Sequence, residues 1–301
     1  MIGKNPVFIP KLLSREEHFV SGRRSCKGCG KALAVRMICK MGGKDLVSSY
    51  YSKGSSFISS YGQTAVGLNW DELLSGDLTS SLVDRVITEN KQGTVGKSVK
   101  KAVIGIDRRI FTKDPLALTE ILQEHKEVLY ICYDSEMYME EIIKRSLSPS
   151  DDHGETRPLK RDEMREFIQN KNIPPIVHES DVAYFATSCP SFPLDLMEKI
   201  KKGLRISGTA FVSVLTPCPT AWLFKPDQTV HLGYLSVNTG FYPLFEVESG
   251  KLRLTKRISP LHPLIEYIKV QQRYITFPPD QLPLIQEEVK EEYERLLART
   301  V

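Results

Sequence analysis

The residues of this chain best suited to chemistry begin with Cys26-Lys27-Gly28-Cys29-Gly30, a CxxCG at the entrance to a helical pattern. Two thiolates at this spacing can share a metal ion, and the exposed amides of a helix N-terminus are expected to lower a thiol pKa. Zinc ribbons, redox dithiols and iron–sulfur sites all use the motif, and so does a turn with two structural cysteines. Cys218-Pro219 falls at the end of an apolar run, where it can complete such a site. Cys132 lies in an apolar strand pattern and Cys39 in a helical one, which reads as core packing; Cys189-Pro190 fits either role. The opening, Met1-Ile2-Gly3-Lys4-Asn5-Pro6, is too short in apolar residues for a signal peptide. The six cysteines are therefore expected in a reducing, cytoplasmic setting, where clustered thiols bind metal more often than they form disulfides.

Such residues need a scaffold, and composition limits which. The 301 residues carry 41 Lys plus Arg against 37 Asp plus Glu, a net charge of +4. That charge is too small and too dispersed to define a nucleic-acid or membrane-surface partner. With 41% hydrophobic and 26% charged residues the chain reads as globular, long enough for one large or two small domains. The longest uncharged run, Ile206 to Phe224, contains Gly208, Pro217 and Pro219. It predicts a buried strand followed by a loop, not a membrane span.

Residues 1–25, broken by Pro6 and Pro10, read as an N-terminal arm. The spacing of Ala32, Leu33, Val35, Met37 and Ile38 predicts a helix over 30–40, ended by Gly42-Gly43, and Leu78, Leu82, Val83, Val86 and Ile87 predict another over 77–90. Apolar runs at 101–105, 127–133, 182–187 and 209–215 predict buried strands. Helical patterns fall between them at 115–125, with Asp114 as N-cap and Pro115 in the first turn, at 161–171 and at 193–202. This alternation predicts an α/β fold, a doubly wound, mostly parallel sheet with helices on both faces. Residues 26–225 form the α/β domain, with an exposed loop at 147–160. Residues 226–301 lose the alternation and read as an extension packed on the same domain, closed by a charged helix from about Pro283. Ligands of such sheets bind beyond the carboxyl ends of the strands. That rule points to loops 105–113, 134–146, 188–193 and 216–222.

Gly22-Arg23-Arg24-Ser25 ahead of the CxxCG is followed by Leu129-Tyr130-Ile131-Cys132-Tyr133-Asp134 and by Ala186-Thr187-Ser188-Cys189-Pro190-Ser191-Phe192-Pro193-Leu194-Asp195. Then come Pro217-Cys218-Pro219-Thr220-Ala221-Trp222, Gly250-Lys251-Leu252-Arg253-Leu254-Thr255 and Glu266-Tyr267-Ile268-Lys269-Val270-Gln271. In this order they resemble the β subunit of pyruvate:ferredoxin oxidoreductase and related 2-oxoacid:ferredoxin oxidoreductases. The resemblance implies the thiamine-diphosphate-binding fold and a complex with α- and γ/δ-type subunits that passes electrons toward ferredoxin. It also implies thiamine diphosphate, Mg²⁺ and a 4Fe–4S cluster on this subunit. The implied cofactor positions are Gly105, Asp107, Arg108, Arg109, Ser135 and Met137. The implied cluster positions are Cys26, Cys29 and Cys218, with Ser55 where the family has its remaining cysteine.

The departures from the family gather at the pocket. Its diphosphate loop, Gly-Asp-Gly-Gly, is here Gly105-Ile106-Asp107-Arg108-Arg109. Backbone amides approach a diphosphate closely only where no side chain intervenes. Asp107 stands at the first Mg²⁺ position, Ser135 where the family has Asn or Thr, and the Met137 carbonyl at the third. A hard cation accepts that oxygen set, although only one member brings charge. Glu140-Glu141-Ile142 replaces Asn-Thr-Gly and sets negative charge beside an anionic substrate. Ser55 offers a hard hydroxyl where iron prefers thiolate, leaving a three-cysteine cluster, a zinc ion or an empty site as the options. A kept scaffold with three altered pocket elements predicts a non-catalytic, β-subunit-like component of a 2-oxoacid:ferredoxin oxidoreductase complex, without nucleic-acid or membrane partners. The alternative is a functional β subunit carrying out thiamine-diphosphate-dependent oxidative decarboxylation of a 2-oxoacid, with Arg108 or Arg109 on the diphosphate.

Overall fold

Leu129, Ile131 and Tyr133 alternate along one strand with Val128, Tyr130 and Cys132, and both sets are buried. A strand apolar on both sides must be covered on both faces, which is the condition of a parallel α/β sheet. The computed structural model of the chain describes residues 26–42, 47–52, 55–60, 102–108, 115–124, 126–136, 160–172 and 182–300. Its strands are β1 (Val47–Ser52), β2 (Ser55–Ser60), β3 (Ala102–Asp107), β4 (Val128–Asp134), β5 (Tyr184–Ser188), β6 (Ala210–Leu215), β7 (Phe245–Glu248) and β8 (Lys251–Leu254). They form one sheet in the order β2-β1-β3-β4-β6-β5-β7-β8. The run from β1 to β5 in that order is parallel, and antiparallel strands close each end.

The helices are α1 (Gly30–Gly42), α2 (Pro115–Glu124), α3 (Arg161–Asn172), α4 (Pro193–Arg205), α5 (Pro219–Trp222), α6 (Thr229–Asn238), α7 (Leu264–Ile268) and α8 (Leu282–Ala298). Ala34, Met37 and Ile38 of α1, with Leu196 and Ile200 of α4, cover Leu129, Ile131, Val212 and Val214 on one face. Leu122 of α2, with Tyr293 and Leu296 of α8, packs against Ile104, Ile106, Tyr130 and Phe211 on the other. The predicted helices on both faces are therefore present. Across that second face the rings of Tyr130, Phe211, Phe185 and Phe245 follow one another at centroid distances of 6.5, 6.0 and 5.8 Å. Such pairs add about 0.5–1.5 kcal/mol each beyond buried area. Helix α3 lies along α8, where Arg161 Nε and Arg165 Nε donate to the fully buried Glu288 carboxylate at 2.6 and 3.1 Å.

Two hairpins depart from the expected pattern. Strands β7 and β8, each four residues long, join the sheet by antiparallel pairing of β7 with β5. Their turn is Ser249-Gly250, with φ of 50° and 74°, the double positive φ that suits a two-residue hairpin. The β1–β2 hairpin pairs Val47 through Ser52 with Ser60 through Ser55. The arm at 1–25, the helix over 77–90 and residues 147–159 of the predicted loop lie outside the described residues. No helix among the described residues is long and apolar enough to cross a membrane.

Candidate functional site

Chain geometry explains the glycines of the CxxCG. Strand β6 ends at Leu215, and the following Thr216-Pro217-Cys218 leads into α5. The first residue of α1, Gly30, donates its amide to the Pro217 carbonyl at 3.1 Å. A Cβ on Gly30 would lie 2.6 Å from that same oxygen. Gly28 has φ +70°, and a Cβ there would sit 2.7 Å from Pro226 Cα. Its carbonyl accepts from Thr229 Oγ1 at 2.5 Å. The motif is thus pressed against the 216–229 segment by contacts that only glycine permits.

The same docking brings the predicted cysteines to one corner. Thr220 Oγ1 lies 3.8 Å from Cys26 Sγ, and Cys29 is close enough to Cys218 for the two to influence each other electrostatically. A cavity of about 480 Å³ opens beside Cys26, Cys29, Arg36 and Thr229. For Cys29 the expected lowering of the thiol pKa is reversed. Burial raises the Cys29 thiol, outweighing the amides of Ala32 and Lys31 that favour the thiolate. Among the described residues no group of three His, Cys, Asp or Glu is arranged to hold a metal ion. Ser55 opens β2, and its side chain lies outside the described atoms, as does that of Cys39 in α1. Cys132 and Cys189 are buried.

The predicted cofactor positions fall at the carboxyl edge of the sheet. Gly105 is buried in β3, in register with Ile131 of β4, and Asp107 is in register with Tyr133. Asp107 is therefore the last residue of β3, and Ser135 directly follows the end of the neighbouring parallel strand β4. The ladder runs one step further, because the Arg108 amide donates to the Tyr133 carbonyl at 3.2 Å. Asp107 Oδ2 lies 3.6 Å from Lys31 Nζ of α1, and Arg108 Nη2 donates to the Asn170 carbonyl of α3 at 3.1 Å. Arg109, Met137 and Glu140-Glu141-Ile142 lie outside the described residues.

Sequence reasoning missed the polar cluster beneath this edge. Glu136 has φ +48° and its amide donates to Asp134 Oδ1 at 2.8 Å. Its carboxylate accepts from Arg273 Nη2 at 2.7 Å and from the Tyr267 hydroxyl at 2.9 Å. The same guanidinium donates to the Glu136 carbonyl at 3.2 Å and stacks 4.1 Å above the Trp222 ring. Trp222 Nε1 in turn donates to the Ser135 carbonyl at 2.6 Å. Lys171 Nζ sits 3.9 Å from Glu136 Oε1, donates to the Phe241 carbonyl and lies 4.0 Å over the Phe241 ring. Burial raises the Asp134 carboxyl and lowers Lys171 to about 8 despite the carboxylates nearby. The one sequence signal was a lone arginine inside the aromatic stretch from Tyr267 to Phe277.

An α/β sheet whose reactive side chains gather at the carboxyl edge of its parallel strands belongs to the class of α/β proteins built to hold ligands there. No family model matches the chain. It is 32% identical over 284 residues to pyruvate synthase subunit PorB of Methanocaldococcus jannaschii, covering 92% of this chain and 95% of that relative. It is 30% identical over 292 residues to ketoisovalerate oxidoreductase subunit VorB of Pyrococcus furiosus, covering 93% of each. Against pyruvate synthase subunit PorB of Thermotoga maritima the identity is 30% over 298 residues, 94% of this chain and 92% of that one. The chain belongs to this PorB/VorB family, the β subunits of 2-oxoacid:ferredoxin oxidoreductases. Among solved structures it is similar to 2-oxoglutarate:ferredoxin oxidoreductase from Magnetococcus marinus with 2-oxoglutarate, coenzyme A and succinyl-CoA bound, at 15% identity and TM-score 0.38 over 72% of this chain and 70% of that one.

Proposed function

We propose that this chain serves as a structural β subunit in a 2-oxoacid:ferredoxin oxidoreductase-type complex and holds no thiamine diphosphate of its own. The observation that carries the reading is the engagement of the two residues at the diphosphate position. The Arg108 amide is taken by the Tyr133 carbonyl, one guanidinium nitrogen, Nη2, donates to the Asn170 carbonyl, and Asp107 Oδ2 lies 3.6 Å from Lys31 Nζ. A diphosphate needs approachable amides and Mg²⁺ needs the carboxylate charge. The Arg108 amide held in the ladder, an arginine side chain where the family has glycine, and Asp107 beside Lys31 support a site without thiamine diphosphate. The partners under this reading are α- and γ/δ-type subunits, with ferredoxin reached through them, in the cytoplasm. The soft donors Cys26, Cys29 and Cys218 suit an iron–sulfur cluster or zinc, with Ser55 the poorest donor of the set.

One observation favours a second reading, a working β subunit that decarboxylates a 2-oxoacid oxidatively. Asp107 ends β3 and Ser135 follows the last residue of the neighbouring β4, so two oxygen-bearing residues lie at the same edge of the sheet. Calorimetry separates the readings. The complex is reconstituted with this chain as its sole β-type subunit and titrated with thiamine diphosphate and Mg²⁺. No saturable heat is expected at micromolar concentration. Micromolar binding that Asp107→Ala abolishes would overturn the proposal and establish the second reading.

A further inference from the structure

At the end of α6 away from Thr229 and the CxxCG, the segment 256–263 leaves a cleft of about 550 Å³ beside Asn238. We infer that this cleft is a binding site for a small phosphate-class oxyanion carried on an organic group. Its floor is Asn238, the last residue of α6, which is only 4% exposed. The Asn238 carbonyl accepts from the His262 amide at 2.9 Å. Its side-chain Nδ2 is buried with no hydrogen-bond partner among the described residues. A buried amide N–H left unmet costs about 1–3 kcal/mol, so its persistence in a cleft wall points to a partner from outside the chain.

The charge lining the cleft is of the matching sign. Lys256 and Arg257 sit side by side in the lining. Neither is held in an ion pair among the described residues, unlike Lys199, Lys202 and Arg253 nearby. The single carboxylate of the lining, Glu266, lies 3.2 Å from His262 Nδ1 and is engaged there. Lys256, Arg257 and Asn238 all line this cleft, and an ammonium, a guanidinium fork and an amide N–H are the donors that a tetrahedral oxyanion accepts. A helix C-terminus ordinarily repels an anion through its bare carbonyls. Here those carbonyls are covered: the Thr239 amide donates to Leu235, the Tyr242 amide to Ser236, the Gly240 amide to Val237 and the His262 amide to Asn238.

The backbone of the 256–263 strap is fixed without a ligand. The Thr255 amide donates to the Leu244 carbonyl at 2.9 Å, the Ile258 amide donates to the Tyr293 hydroxyl at 2.7 Å, and that hydroxyl donates to the Lys256 carbonyl at 3.3 Å. The volume exceeds a bare ion, and Tyr234, Ile258 and Leu261 give it an apolar wall, which is why an organic carrier fits. The test uses the full chain with its partner subunits, titrated calorimetrically with phenyl phosphate, inorganic phosphate and, as a control, phenol. Phenyl phosphate is expected to bind saturably at millimolar concentration or below, and phenol not at all. Lys256→Gln with Arg257→Gln, both on the strap surface, should weaken it roughly a hundredfold or more, since two charge-assisted hydrogen bonds are lost. Asn238→Asp should abolish binding while the melting temperature shows that the variant folds. Inorganic phosphate binding as tightly as the ester supports the oxyanion site but removes the organic carrier. Absence of saturable binding by either phosphate, or binding indifferent to the Lys256 and Arg257 changes, overturns the site.

Discussion

Replacing Arg273 by Met should be among the most damaging single changes at the carboxyl edge of the sheet. The guanidinium holds Glu136 Oε2 at 2.7 Å and the Glu136 carbonyl at 3.2 Å, and lies 4.1 Å above Trp222. The Glu136 side chain is fully buried, and removing one partner of such a pair costs about 3–5 kcal/mol because the other charge is stranded. Tyr267 and, at 3.9 Å, Lys171 remain beside the carboxylate, which places the expected loss near the lower bound, about 3 kcal/mol. With a urea slope of about 3 kcal/mol/M for a chain of this size, the midpoint falls by about 1 M. One of the two tryptophans, Trp222, is buried against the pair, so its fluorescence follows the transition. Glu136→Gln combined with Arg273→Met should recover at least half the loss, since no unpaired charge is then left inside. A single-variant loss below about 1 kcal/mol, the level of an exposed ion pair, would refute the argument, as would strict additivity in the double variant.

Three further outcomes follow from local geometry. Gly28→Ala and Gly30→Ala should each destabilise the cysteine corner and raise the alkylation rate of Cys29, because both meet backbone; Gly250→Ala, at φ +74° in open space, should cost only about 1 kcal/mol of backbone strain, measurable by thermal melting. In metal-stripped protein, mass spectrometry after timed iodoacetamide treatment should find exposed Cys26 modified first and half-buried Cys29 later, with buried Cys132 and Cys189 modified only on unfolding. Burial by itself raises the Glu246 carboxyl, but hydrogen bonds from Lys202, Arg253 and Tyr184 outweigh it and hold the pKa below 4.5. Its native pKa is depressed, so its contribution is complete above pH 4.5 and is lost as pH falls through the lower native value. Glu246→Gln should therefore flatten the acid limb of a stability–pH curve, and an unchanged limb would count against these bonds.

The parallel strands could be read from sequence because burial on both faces leaves unbroken apolar runs, as in Val128 through Cys132. The β7–β8 hairpin could not, since four-residue strands are too short to display a period, and Ser249-Gly250 signals a turn only once its flanks are known to be strands. The cysteine corner was half legible. The CxxCG spacing announces chemistry, but what requires its glycines, Pro217 and Pro226, lies almost two hundred residues away. Glu136 and Arg273 are 137 positions apart, and no local propensity pairs a turn residue with an arginine in a distant aromatic stretch.

Those distant pairings also bear on the proposed absence of a coenzyme at this sheet edge. A vacated edge leaves polar strand ends that must be satisfied from within, or the fold pays for buried, unmet groups. Here the Thr216 amide donates to the Asp134 carbonyl at 2.6 Å, Trp222 to the Ser135 carbonyl and Arg273 to that of Glu136. Three consecutive carbonyls, from Asp134 at the end of β4 through Glu136, are thus met by Thr216, Trp222 and Arg273. The cysteine loop and the loop bearing Ser135 share Trp222, which stands four residues after Cys218. A change at Trp222 therefore disturbs both loops at once.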